Sequence, residues 1–333
     1  MSRSPILVTG AAGFVGARFV ESCNRRGHPV IAVDRAELFT SRPEHSGLRF
    51  GTILEREEAE AALMTSRIAP AAIVHLGACT DTTELDEALL EDVNVRSSQT
   101  LWAAAAAQNI PFVYASSAAT YGDGTAGFVD DETGFGALRP LNPYGDSKRR
   151  FDVWALEQER SGRTPRSWAG FKFFNVYGFG ERHKARMASV VLQAFDQIRA
   201  TGRVRLFRSH KPGVLDGHQS RDFIFVGDVV DALWFAIEKP IARGVFNLGT
   251  GKARTFLDLV RAVFAALGVE EHIDWIDTPA DLRDRYQYFT QADVNRLIAE
   301  GFDRPFTSLE AGVRETVALL LAHESAPAFS PVR

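Results

Sequence analysis

The chain has 333 residues, 45% apolar and 24% charged, an ordinary globular composition long enough for one large α/β domain or two smaller ones. A net charge of −4 with no Lys/Arg stripe argues against nucleic acid as a main partner, and no apolar run reaches the ~18–20 residues a membrane span needs. Cys23 and Cys79 suggest no disulfide framework and Met1–Pro5 carries no apolar leader, so a cytoplasmic, reducing setting is expected.

In chain order, strands are predicted at Ile6–Thr9, Val30–Val33, Leu48–Thr52, Ala72–Leu76, Phe112–Ser116 and Ala169–Phe174. Most are continuous apolar runs, as strands buried on both faces should be. Helices are predicted between them at Phe14–Arg26, Arg56–Ser66, Glu84–Gln108 and Tyr144–Ser161. The run Ala103–Ala107 reads as a small-residue face for close packing on a sheet. Strand–helix alternation argues for an α/β fold with a doubly wound parallel sheet. Beyond Gly178 the pattern loosens. A helix is predicted over Ala185–Ala200, a loop over Gly213–Gln219, strands at Asp222–Phe225 and Val245–Leu248, and a helix over Asp228–Glu238. A further helix, Thr255–Leu267, is capped by Thr255 and stopped by Gly268, and another spans Ser308–Ala322 before a tail from Ser325.

The first strand runs into Gly10-Ala-Ala-Gly13-Phe-Val-Gly16 and then a helix. Gly10 permits the tight turn, Gly13 lets the backbone approach a pyrophosphate, and Gly16 lets the helix pack on the strand. The helix N-terminus offers free N–H groups and partial positive charge to phosphates. Asp34 closes the second strand, where it is placed to accept from adenosine ribose hydroxyls. Arg35 beside it suits a 2′-phosphate. The two residues point to different cofactors; the reading leans to NADP, with NAD the alternative. The fourth strand ends in His75-Leu76-Gly77-Ala78-Cys79, where small residues would let a cofactor lie across the sheet edge. His75 and Cys79 lack further ligands nearby, and His183, His210 and His218 are scattered, so no metal site is expected, and His75 reads instead as a hydrogen-bonded residue under the cofactor.

Tyr144 and Lys148, in Asn142-Pro-Tyr-Gly-Asp-Ser-Lys148, share one face of a helix. A tyrosine is a poor base near neutral pH at its reference pKa of ~10, and a nearby ammonium favours the phenolate. Ser117, in Tyr114-Ala-Ser-Ser117, lies at the carboxyl edge of a parallel strand, where ligands bind, and is the candidate to hydrogen-bond a reacting oxygen. The set points to proton transfer on an alcohol.

With these motifs the chain resembles the extended short-chain dehydrogenase/reductase superfamily, and within it the ADP-L-glycero-D-manno-heptose 6-epimerase family. The resembling blocks are HLGACTDTTELD from His75, YASSAATYG from Tyr114, FNVYGFGERHKARMASV from Phe174, RDFIFVGDV from Arg221, FNLGTG from Phe246 and RYQYFTQAD from Arg285. The resemblance implies a Rossmann-type fold with 1–178 and 222–250 binding the dinucleotide, 179–221 and 251–323 forming a smaller, interleaved substrate-binding part, and 324–333 as tail. It implies oxidation of carbon 6 of an ADP-heptose to a ketone and re-reduction on the other face, supplying heptose for the lipopolysaccharide core, and a homo-oligomer. Tyr144 would serve one face and Lys184 the other, although Lys184 also suits an anion-binding role on the diphosphate. The resemblance further implies cofactor contacts at Phe14, Val15, Leu76, Gly77, Ala78, Asn94, Lys148 and Val176. Substrate contacts fall on Asn175, Arg186, Phe207, Arg221 and Tyr286.

Two features depart from the family pattern: Arg35 stands where a small polar residue is expected, and 208–219 looks longer than the family's loop. A UDP-hexose 4-epimerase shares the Ser/Tyr/Lys set, and a non-catalytic dinucleotide sensor shares the fold. Ala118-Ala119-Thr120 lacks the carboxylate a nucleotide-sugar dehydratase places there.

Overall fold

The computed structural model describes residues 3–239, 243–279, 283 and 287–325. Its strands are β1 (Ile6–Thr9), β2 (Val30–Val33), β3 (Thr52–Leu54), β4 (Ala72–His75), β5 (Phe112–Ser117), β6 (Trp168–Phe173), β7 (Asn175–Tyr177), β8 (Val204–Phe207), β9 (Ser220–Phe225), β10 (Gly244–Leu248), β11 (Ala253–Thr255) and β12 (Ile273–Ile276). A seven-stranded sheet runs in the order β10-β6-β5-β4-β1-β2-β3, with every neighbouring pair parallel. Residues of β1, β2, β4 and β10 are buried throughout, which is why they read as largely apolar runs rather than alternating ones.

Helices cover both faces. Phe19 and Val20 of the helix Phe14–Arg25 pack with Leu233 and Trp234 of the helix Val226–Glu238 on one side. On the other, Trp102 meets Trp168 edge-on at 4.9 Å and Phe151 at 6.3 Å. Ala104 and Ala105 of the predicted small-residue run are buried there. β1 lies between β2 and β4, so strand order reverses at this point and opens a crevice at the carboxyl ends, the usual ligand position in such sheets.

The rest of the chain builds a smaller layer. β9 pairs antiparallel with β11 and parallel with β7, and β12 pairs with β8. β7 and β9 therefore lie outside the large sheet, while β10 returns to it as an edge strand. Phe195, Leu259, Val263 and Val313 bind the helices Val190–Thr201, Phe256–Leu267 and Leu309–Ser325 into a separate core.

Several predicted boundaries shift. The helix expected over 185–200 begins only at Val190, because Ala185 adopts φ 46° and Ser189 caps the helix through Leu192 N–H. The strand expected at 48–52 starts at Thr52, after Gly51 turns with φ 67°. The helix expected over 84–108 starts at Glu87, capped by Asp86, and passes through a π-helical turn at Glu91–Arg96. β7, β8, β11 and β12 were not predicted, being three or four residues long with no continuous apolar run. Thr255 and Gly268 bound their helix as expected, with a capping box through Asp258. The tail expected from Ser325 falls outside the described residues beyond Ser325 itself. Among the described residues no helix is long and apolar enough to cross a membrane and no group of side chains could hold a metal ion.

Candidate active site

The crevice is built by close backbone approach. Gly10 turns with φ 64°, and a Cβ on it would lie 2.7 Å from the Gly77 nitrogen. A Cβ on Gly16 would collide with the Gly10 carbonyl. The glycine loop and the end of β4 are thereby brought together. Gly13 caps the helix without a side-chain bond, leaving Phe14 and Val15 to carry N–H groups that have no intrahelical partner. Leu76, Gly77 and Ala78 form the opposite lip and are partly exposed.

Asp34 follows β2 beside the loop. Its carboxylate accepts from the backbone N–H of Ala12 at 3.1 Å and of Arg35 at 3.0 Å, while burial raises its pKa above the ordinary value. The Arg35 side chain points outward toward Glu37, 3.7 Å away, and is 69% exposed. Arg42, which was not singled out in the sequence, donates to the Ala12 carbonyl and lies within electrostatic reach of Asp34. No local motif marks it.

His75 is fully enclosed. Its Nδ1 hydrogen-bonds with Thr9 Oγ1 at 2.7 Å and its Nε2 with Ser98 Oγ at 2.8 Å, and Gly77 N–H donates to the same Thr9 oxygen. Burial, with Lys148 adding to it, drives the imidazole down to about 3. Its side chain thus supports the crevice floor. Asn94, also expected at the cofactor, is buried. It accepts from Cys79 N–H at 2.8 Å and donates to Cys79 carbonyl and Ser147 Oγ, both at 3.0 Å, tying the β4 loop to the next helix.

That helix, Pro143–Arg160, starts on a cap in which Gly145 N–H donates to Asn142 Oδ1 at 2.8 Å. A Cβ on Gly145 would sit 2.8 Å from the Ala119 carbonyl, so the helix start presses against the turn after β5. This brings the buried Tyr144 hydroxyl beside Ser117, whose hydroxyl favours its ionised form. Burial raises the Tyr144 pKa and the Ser117 contact opposes that rise. The lowering of Tyr144 by Lys148 that the sequence suggested is not found. Lys148 is itself buried, donates to the Ala115 carbonyl at 3.0 Å, and is lowered to about 8 by desolvation.

Beneath this group lies a buried network. Asp152 accepts from Tyr114 at 2.9 Å, Ser116 at 2.7 Å and Lys172 at 2.6 Å, and Lys172 also donates to Thr120 at 2.8 Å. Both charged side chains are fully buried. Two signals were available: Asp152 continues the four-residue spacing of Tyr144 and Lys148, and Lys172 interrupts an apolar run.

Lys184 lies in the short helical segment Arg182–Met187, its Nζ 3.2 Å from Glu181 and 5.3 Å from the centre of the Phe14 ring. It is thus at the start of the dinucleotide helix. Arg186 donates to Thr83 Oγ1 at 2.7 Å. Asn175 is exposed on β7 beside the partly buried Val176, and Phe207 ends β8. Arg221 is buried, donates to the carbonyls of Ser220 and Gln287, and stacks 5.6 Å from the Phe256 ring. Tyr286 lies outside the described residues. In the 208–219 loop, His210 N–H donates to the Tyr288 hydroxyl at 3.0 Å and its Nδ1 bonds with the same hydroxyl at 2.9 Å.

The fold and the crevice define a dinucleotide-dependent enzyme of the doubly wound class. Residues 6–249 match the NAD dependent epimerase/dehydratase family, and the chain belongs to it. Its cofactor is a nicotinamide dinucleotide, for which the glycine approach, the uncapped helix end and Asp34 form a fitting cradle. The chain is 40% identical to an ADP-L-glycero-D-manno-heptose-6-epimerase of Fusobacterium nucleatum, covering 96% of this chain and 98% of that one. It is 43% identical to a protein of the same name from Nitratidesulfovibrio vulgaris, over 95% of this chain and 98% of that one. The crystal structure of the Helicobacter pylori enzyme of that name superposes with a TM-score of 0.81 at 26% identity, covering 98% of both chains. A Thermus thermophilus UDP-glucose 4-epimerase in complex with NAD superposes at 0.75 and 26% identity, over 97% of this chain and all (100%) of that one.

Proposed function

We propose that this chain interconverts ADP-D-glycero-D-manno-heptose and ADP-L-glycero-D-manno-heptose by inverting carbon 6, with NADP as its dinucleotide. The observation that carries the reading is the similarity, 40–43% identical over 95–96% of the chain, to proteins named for that epimerisation. When bound, the dinucleotide supplies reversible hydride acceptance, so carbon 6 passes through a ketone and regains hydrogen on its other face.

The chain's own residues manage the protons and the geometry. Tyr144 takes the proton of the carbon 6 hydroxyl on one face, and Ser117, beside it, orients the reacting oxygen. Lys148, a helical turn on, holds the nicotinamide ribose through its ammonium. Lys184 exchanges the proton on the other face. Asn175, Arg186, Phe207, Arg221 and Tyr286 hold the nucleotide sugar, with 179–221 and 251–323 acting as the substrate part and 1–178 and 222–250 as the dinucleotide part. Arg42 rather than Arg35 meets the 2′-phosphate, because Arg42 donates to the loop carbonyl of Ala12 within electrostatic reach of Asp34 while Arg35 points to solvent. The same reading expects a homo-oligomer in the cytoplasm, which sedimentation of the purified protein and cell fractionation would test.

The test is direct. The protein is incubated with ADP-D-glycero-D-manno-heptose and the carbon 6 configuration is followed by NMR. Interconversion is expected. No interconversion, with turnover of UDP-galactose instead, would overturn the reading. Tyr144→Phe and Lys184→Met should each abolish turnover; a Lys184→Met variant that keeps kcat and loses only affinity makes Lys184 a binder. Arg42→Ala should weaken NADP binding at least tenfold and leave NAD binding within about twofold, given the strength of charge-assisted phosphate contacts.

A further inference from the structure

Lys184 is held by a neighbour that the mechanism above leaves unused. The Glu181 side chain is fully buried, and both its oxygens are occupied. Oε1 accepts from Gly178 N–H at 3.2 Å and Ser189 Oγ at 2.6 Å. Oε2 accepts from Ser189 N–H at 2.9 Å and Lys184 Nζ at 3.2 Å. The Glu181 carbonyl also accepts from Lys184 N–H at 2.9 Å.

A buried carboxylate is tolerated when it is paired and hydrogen-bonded, and Lys184 provides the one cation within ion-pair distance among the described residues. On its far side the same amine lies 5.3 Å from the centre of the Phe14 ring, which begins the dinucleotide helix. The chain then reverses at Ala185, with φ 46° and ψ −120°, so that Arg186 leaves in another direction toward Thr83 and Asp81. A lysine on its flexible four-carbon stem has many rotamers, whereas a proton-transfer group must stay within hydrogen-bond reach of the reacting atom.

We propose that Glu181 is a positioning residue that clamps the Lys184 amine between its buried carboxylate and the Phe14 ring, at the entrance to the dinucleotide crevice. The proposal rests on the reading of Lys184 as the second-face group, but the placement of the amine is testable without it. Ser189 and Gly178 hold the carboxylate from behind, and Lys184 takes its remaining lone pair. The carboxylate itself touches no substrate.

The test uses the full-length protein with lysines reductively methylated with ¹³C. The Lys184 methyl resonance is assigned by its absence in Lys184→Arg. In the wild type it is expected to be displaced by the ring current of Phe14, and to lose that displacement in Phe14→Leu. In Glu181→Gln it should move to the position of exposed lysines; Glu181→Asp, a second variant that keeps the charge one methylene back, should move it part of the way. In steady-state turnover of the heptose substrate, Glu181→Gln should lower kcat roughly tenfold or more with KM within about twofold, because the proton-transfer step it supports is of that size. Glu181→Gln/Lys184→Met should be no slower than Lys184→Met, since Glu181 acts through the lysine. An unmoved resonance in Glu181→Gln, or losses that add in the double variant, would overturn the proposal. If the resonance moves while Lys184→Met keeps its kcat, the clamp stands and the second-face reading of Lys184 fails.

Discussion

Acid should loosen this protein through His75, and the size of the effect follows from its surroundings. The imidazole is 3% exposed between Thr9 and Ser98 and is pushed down to about 3, whereas an unfolded histidine titrates near ~6.5. Folding therefore keeps His75 neutral while the unfolded chain binds a proton below pH 6.5, so stability falls as pH falls through that window and the loss is complete only near pH 3. Between pH 8 and pH 5 the linkage costs about 2 kcal/mol, and the whole shift corresponds to about 5 kcal/mol as an upper bound. Glutamine at this position keeps a donor and an acceptor but cannot titrate. Urea unfolding of the wild type and His75→Gln, followed by tryptophan fluorescence at pH 8, 6.5 and 5, gives the comparison. Carboxylates common to both proteins cancel in the difference. The wild-type advantage should shrink by about 2 kcal/mol from pH 8 to pH 5. A difference that stays flat over that range would show that His75 is not held neutral beneath the crevice, and the reasoning from its burial would be wrong.

Three further outcomes are expected. Lys148 is lowered to about 8, so its cation is lost as pH rises through that value; kcat should fall toward about tenfold per pH unit above it, and Lys148→Arg, if active, should lose this limb because a guanidinium stays charged. Gly10→Ala should weaken dinucleotide binding at least tenfold in a fluorescence titration, since its Cβ would press on Gly77 and its left-handed backbone costs an alanine about 1–2 kcal/mol. Lys172→Met should destabilise the fold by about 3–5 kcal/mol by stranding the Asp152 charge, and adding Asp152→Asn should recover most of that loss in thermal melts.

The fold was largely legible because its dominant signal is local. A strand buried on both faces is apolar at most positions, and β1 and β2 were read to the residue on that basis. The glycine loop was legible for a similar reason, since Gly10 and Gly16 fit only where backbone meets backbone. The helix after Lys184 was misread because Ala185–Ala200 has helical composition throughout, while the two residues that decide the start act through geometry. Ala185 takes a backbone conformation its side chain does not favour, and Ser189 offers a cap.

The missed site residues share a different cause: each acts on a partner that the fold, not the chain, brings near. Arg42 reaches Ala12 across thirty positions of sequence, and Lys172 reaches Thr120 across fifty-two. Glu181 is close in sequence to both Lys184 and Ser189, yet its role depends on being buried, and a glutamate in GERHK gives no sign of that. Tyr144 and Lys148 were found because their four-residue spacing is itself a geometric statement on a helix. What the spacing could not supply was the medium around them. Burial raises Tyr144 and lowers Lys148, the opposite of a simple phenolate–ammonium pair. With Tyr144 raised and Lys148 lowered by the same burial, the pH dependence of Lys148→Arg is the sharpest check on how the pair works.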